Sequence, residues 1–338
     1  MRIPNKSKLL IVKSQNWLSL KLKSRFVASI LLLYVPLLII GFILQLILHY
    51  PVIAERGIQI SLLWLAIAPL LIQDSLLFLN DFFVTHSHLL ENQTIWFKVR
   101  DEYIAKLESR KFIVIEVVTS ILVSIFVTLA IFYKAPLLIQ IWSFVTYLIL
   151  FYISFIGFRG ILMTPKLIAL LCRLKIKVDP FHPDCFGGIG TFGKLIIRGT
   201  LYFSTGALVL PLAFQMLGNF TRINNDMNYI IYILTSIFIG ILMYSFISPI
   251  LIIKRYIEKN KEQLVIESSK KLDELYKDSF KVNDTKQFPA ELYFYNELYH
   301  QKILKIKTYP FNAEVLFELF ISVFLPILIG IFEIVKFE

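Results

Sequence analysis

Long apolar runs alternate with short charged segments along the whole chain. Seven runs reach the ~20 residues that a helix needs to cross a bilayer core. They are 26–48, 59–80, 112–133, 136–158, 199–218, 229–253 and 313–335, and none of them contains a Lys or Arg. The pattern predicts an all-α polytopic membrane protein with seven transmembrane helices. Between the runs, the periodicity predicts further helices. Residues 8–22 set Leu9, Trp17 and Leu20 among lysines, which suits a basic helix in the headgroup region or a plain charged flank. Segment 81–111 reads as a surface or re-entering helix between the second and third runs. Segment 254–312 reads as a helical hairpin, broken by the polar stretch 281–288 and restarted at Pro289.

Composition agrees with the pattern. Of 338 residues, 57% are hydrophobic and 17% charged, against ~45–50% and ~25% in soluble domains. This excludes disorder and argues against an ordinary water-soluble enzyme. The basic start is followed by an apolar run with no small-residue cleavage site, which reads as a retained first span.

Charge placement orients the chain. The formal net charge is +11, and 31 of the 35 Lys and Arg fall in segments 1–25, 81–111, 159–198 and 254–312. Strict alternation puts these four segments in the cytoplasm, with the N-terminus inside and the C-terminus outside. The expected organisation is a basic segment 1–25 and a six-helix bundle 26–253 with loops 81–111 and 159–198. A hairpin 254–312 and a last span 313–338 with its outer end follow. The basic excess is then a topology signal and calls for no nucleic-acid partner. Cys172 and Cys185 fall on the reducing side and are expected as free thiols.

Ionisable groups at bilayer depth are costly and usually mark a bundle interior or a wet path. All of those inside the runs are acidic: Asp74, Glu116, Glu314, Glu318 and Glu333. No base inside the runs is available to pair with them. Glu116 and Glu314 lie near inner ends. Asp74 reads either as an ion-pathway group or as a carboxyl hydrogen-bonded between helices. On the last run, about 100° per residue places Glu318, Ser322, Pro326, Gly330 and Glu333 on one side, away from most of its aromatics. Such a stripe suits a pore lining, with Glu333 at the outer mouth drawing cations. Tight helix packing through the small residues is the alternative.

The densest cluster of special residues runs from Asp179 to Lys194. It includes His182, Asp184, Cys185, Gly187, Gly188, Gly190 and Lys194. Gly188, Gly190 and Gly193 spell GxGxxG, but the βαβ context of a dinucleotide site is missing. A phosphate or headgroup on exposed amides with Lys194 and Arg198 stays open. So does zinc on His182, Asp184 and Cys185 with His86 and His88, although no spacing enforces closure. A Cys185–His182 nucleophile lacks an identifiable third group. A sharp turn whose backbone is bonded by His182 and Asp184 accounts for the same residues. No catalytic residue, metal ligand set or cofactor is assigned.

The His-Pro-Asp-x-x-Gly-Gly loop resembles one found in uncharacterised microbial membrane proteins. The whole-chain layout resembles the insect odorant and gustatory receptor type of seven-helix ion channel. That resemblance implies four subunits around a pore lined by the last helix, held together by the cytoplasmic ends of the late helices. The family's Thr-Tyr pair near the start of its last helix is echoed by Thr308-Tyr309. G-protein-coupled receptors have the opposite orientation. The expectation is an oligomeric cation channel in a plasma or inner membrane, whose partners are the bilayer and its own copies. A proton-coupled transporter using the intramembrane carboxylates is the alternative. Another is a membrane-anchored sensor or enzyme acting through the loop from His182 to Gly193.

Overall fold

The computed structural model describes residues 9–53, 56–90, 92–174, 176, 178–198, 225–281 and 290–309. Their regular secondary structure is entirely helical. Four helices are long and apolar enough to cross a membrane: Arg25–Leu48, Ile58–Thr85, Gln93–Leu129 and Leu137–Arg173. These cover the first four expected spans. Residues 229–253, the sixth, form the early part of a longer helix. The fifth and seventh, 199–218 and 313–335, lie outside the described residues.

Helix α1 is Leu10–Leu22 and ends at Lys23, whose φ is +54°. Helix α2, Arg25–Leu48, follows at once. Its N-cap Ser24 accepts the Val27 N–H at 3.3 Å, supplying one of the acceptors that a helix start lacks. A π turn, Ile30–Tyr34, interrupts α2 just before Pro36, which has no amide to donate to the turn below. Helix α3 is Arg56–Thr85, and a 3₁₀ turn Ser87–Leu89 follows it. Helix α4, Gln93–Leu107, is capped by Asn92, which accepts the Thr94 N–H at 3.1 Å. Helix α5 is Arg110–Phe132. Helix α6 is Leu137–Arg173. The turn between them is Lys134-Ala135-Pro136, sealed by Gln140 Nε2 donating to the Ala135 carbonyl at 2.9 Å. Helical backbone from 190 to 198 forms α7. Helix α8, Asn225–Lys281, runs for 57 residues, about 85 Å at ~1.5 Å per residue. Helix α9 is Ala290–Leu304.

One expected boundary moves. Segment 159–198 is not a loop throughout, because α6 continues unbroken to Arg173. The polar residues after 158 did not end the helix, since Arg159, Thr164 and Pro165 are all buried in it.

Helix α6 is the hub. Half of the most apolar window of α3 and of α6 is buried, against 22% for α2 and 28% for the Gln93–Leu129 segment. So α3 and α6 form the inside of the bundle, and α2 and α5 present an apolar face outward. Trp142 of α6 donates its indole N–H to the Leu37 carbonyl at 3.1 Å. Gly41 makes that approach possible: a Cβ there would sit 2.6 Å from the indole Cζ2. Five hydroxyls within the apolar helices donate to the carbonyl four residues back. Ser120, Ser124, Thr146, Ser154 and Thr164 all bond this way.

A second core joins the opposite ends of these helices, where the basic segments lie. Phe83, Trp96, Ile168, Phe192, Ile196, Ile253, Ile257 and Ile303 pack together there. Trp96 Nε1 donates to the Phe83 carbonyl at 2.7 Å. The expected hairpin is present in this region, because α9 folds back along α8. Ser268 Oγ lies 2.8 Å from His300 Nδ1. Lys261 Nζ donates to the Leu304 and Ile306 carbonyls at 2.7 and 2.9 Å. Those carbonyls end α9 and have no helical partner, and the ammonium also complements the helix dipole.

Candidate functional site

Two groups of residues carry chemistry. The first is the loop that leads into α7. Asp184 bends its carboxylate over the following backbone. Its Oδ1 accepts the Phe186 N–H at 2.8 Å and the Gly188 N–H at 3.1 Å, and its Oδ2 accepts the Gly190 N–H at 3.1 Å. These amides sit at the start of α7, where anions are favoured. Asp184 is thus a built-in anion. The amides that a phosphate would need are already donated to it.

The turn demands its glycines. Gly187 and Gly188 have φ of +69° and +86°. A Cβ on Gly187 would collide with Val178 Cγ1. Cys185 holds φ +58° without being glycine, and its carbonyl accepts the Lys307 N–H at 2.9 Å.

His182 Nδ1 lies 2.9 Å from Asp184 Oδ1 and 3.3 Å from the Asp184 amide nitrogen. A protonated ring donates to the carboxylate, and a neutral one with a bare Nδ1 accepts the amide. Burial alone would raise the Asp184 pKa. The Gly188 and Phe186 amides and His182 outweigh it and hold the carboxyl below its usual value. The Cys185 thiol is exposed, with its sulfur 3.8 Å from the Pro183 carbonyl. His182 is therefore oriented by Asp184, and no nucleophile–base pair with Cys185 is formed.

The loop also ties distant elements together. Phe181 stacks on Tyr295 of α9, with ring centroids 6.3 Å apart. The Gly188 Cα hydrogen faces Leu89 of the 3₁₀ turn and the His182 ring. His86, at the end of α3, has a lowered pKa. Its burial is the main cause, with positive charge from His88, Lys194 and His182 adding to it. The His86 and His88 rings are 6.0 Å apart. So the histidines considered for zinc are neighbours. Among the described residues, however, no three His, Cys, Asp or Glu side chains converge as a metal site requires. Lys194 is exposed, and the Arg198 guanidinium lies over the Phe78 ring at 5.0 Å.

No known protein-family model, curated protein or solved structure matches this chain.

The second group comprises the charges in and beside the apolar runs, where the expectation of unpaired acids is corrected. Asp74 Oδ1 lies 2.6 Å from Arg25 Nη1. Arg25 is the first residue of α2, and α1 turns it toward α3. The same stretch joins Gln73 Nε2 to Asn16 Oδ1 at 2.6 Å. Glu116 Oε1 lies 3.1 Å from Arg159 Nε, and these side chains are only 9% and 6% exposed. The Arg159 guanidinium also sits over the Phe112 ring at 5.9 Å. Both described acids therefore have a base, supplied by residues just outside the expected apolar runs. Glu314, Glu318, Ser322, Pro326, Gly330 and Glu333 lie outside the described residues.

Sequence reasoning missed Arg159. It follows a long apolar run, so it read as the first residue of a loop. The signal lay in what comes after it: Gly160-Ile-Leu-Met-Thr continues an apolar helical pattern past the arginine.

Proposed function

We propose that this chain is an oligomeric cation-conducting channel whose pore is lined by its last segment, 313–335. The observation that carries this reading is the hairpin of α8 and α9. Helix α8 rises without a break from an expected span into a charged hairpin, and α9 leaves Phe294, Tyr295 and Leu298 exposed at 69%, 58% and 48%. An apolar stripe at i and i+4 on a helix outside the apolar bundle suits contact with the same stripe on another copy. The acidic stripe of Glu318 and Glu333 supports cation selection. The layout shared with insect odorant and gustatory receptor channels points the same way. Particle imaging of the full chain in detergent tests the assembly. Rings of subunits in the wild type, lost in Phe294→Glu/Leu298→Glu, are expected. Monomers in the wild type overturn the reading.

A second reading, proton-coupled transport, is favoured by the buried Glu116–Arg159 pair. A carboxylate held by one partner at the edge of the bundle can exchange its proton as that partner moves. Proton-driven uptake that is lost in Glu116→Gln supports it. Uptake that persists in this variant excludes Glu116 as the relay.

A further inference from the structure

The Arg159 guanidinium is almost completely buried, yet among the described residues its Nη1 and Nη2 have no hydrogen-bond partner. Glu116 stands only against Nε. A buried, charged donor left without acceptors is strongly unfavourable. Arg159 also lines a cavity of about 60 Å³ between α3, α4, α6 and α7. One ordered water needs only ~10–15 Å³ on this measure, so the space takes a larger group. Its wall is mainly apolar, with Ile72, Leu76, Leu79, Ile156 and Leu167 among its members. Such a wall does not hold a chain of waters well, but it fits methylenes.

Charge decides what kind of head the occupant carries. The site has one guanidinium, and two carboxylates flank it: Glu116 as its partner and Glu108 on the cavity wall. Carboxyl groups therefore already stand around this one cation. A carboxylate or phosphate head would add a third anion around one cation in a weakly screened place. An uncharged carbonyl oxygen accepts from Nη1 or Nη2 without that repulsion. Arg159 is the first residue after the expected fourth apolar run, toward the side of the basic segments.

We propose that this cavity binds the uncharged carbonyl end of a membrane amphiphile, with its apolar tail continuing between the helices. An acyl ester of a glycerolipid and a tailed quinone share that chemistry. The inference does not depend on the channel reading, because its readout is occupancy rather than current.

The test uses the full chain in native membranes with three photoactivatable probes, each with its diazirine near the head. They are a phosphatidylcholine, a tailed quinone and a free fatty acid. Adducts in 156–167 are measured relative to adducts at the outward residues Val114, Ile115 and Val118, which are 53%, 59% and 50% exposed. One of the two carbonyl probes is expected to label the cavity segment preferentially, and which one does so identifies the source. The ratio should fall at least fivefold in Ser75→Phe, which fills the cavity. It should also fall in Arg159→Met/Glu116→Leu, which removes donor and partner together, with thermal unfolding in detergent confirming the fold of both variants. Equal ratios in the wild type and both folded variants overturn the proposal. So does preferential labelling by the fatty acid, or no labelling above the outward reference, which would leave water as the occupant.

Discussion

Replacing Asp184 with alanine tests the clasp at the start of α7. The perturbation removes one carboxylate that holds three amides, at 2.8, 3.1 and 3.1 Å. Hydrogen bonds to a charged group are worth ~1.5–3 kcal/mol each in buried settings. Here the side chain is 20% exposed, so water recovers part of that loss. The expected cost is then about 2–3 kcal/mol, at or slightly above the upper end for a lost N-cap. Asp184→Asn keeps an acceptor oxygen but loses the charge and one oxygen, so it should cost about half as much. The assay is thermal unfolding of the full chain in detergent, followed by tryptophan fluorescence. Trp96 lies in the core against which α7 packs and reports on it directly. The pH dependence adds a sign. A carboxyl with a depressed pKa in the fold contributes stability above its unfolded pKa, near the ordinary 3.8, and loses it as pH falls through the folded value. The gap between wild type and Asp184→Ala should therefore hold from neutral pH to about 4 and shrink below it. An Asp184→Ala protein that unfolds at the wild-type temperature at pH 7 would refute the clasp.

Three further outcomes follow from the same geometry. Arg159→Met alone should cost about 3–5 kcal/mol, because Glu116 is left buried without its base. Arg159→Met/Glu116→Leu should recover most of that in the same unfolding assay. Gly187→Ala should destabilise by more than ~1 kcal/mol, since its φ of +69° is strained for any side chain and Val178 blocks the Cβ. Denaturant midpoints compare it with the exposed control Lys194→Ala. His86 has a pKa held below 6.5 in the fold. The unfolded chain therefore takes up that proton first, and stability falls as pH drops below about 6.5, levelling off under the folded pKa. His86→Phe should flatten that part of the stability–pH curve, with unfolding temperatures from pH 7.5 to 5 as the readout.

The helices were legible because their signals are local. The apolar runs each act over a few residues, and α2, α3, α5 and the hairpin appear close to where they were expected. The two ion pairs were not legible. Arg25 and Asp74 are 49 positions apart, and Arg159 reaches Glu116 across two helices. Apolar runs give no information about which base turns inward. The role of Asp184 was half visible. A turn bonded by its own side chains was among the readings of the loop. That the carboxylate takes the helix-start amides, so that a bound phosphate has none left, needed the fold. The acids of the last run lie outside the described residues, so the pore assignment rests on the pattern in the sequence.

The most direct test of cation conduction is planar-bilayer recording from the purified full chain under a salt gradient. The account predicts unitary currents that reverse near the cation equilibrium potential. Glu333→Gln and Glu318→Gln should reduce conductance and cation preference, while Asp74→Asn, which alters a carboxylate already held by Arg25, should leave both unchanged. Inserted, folded protein that passes no current, or current that prefers anions, would contradict it.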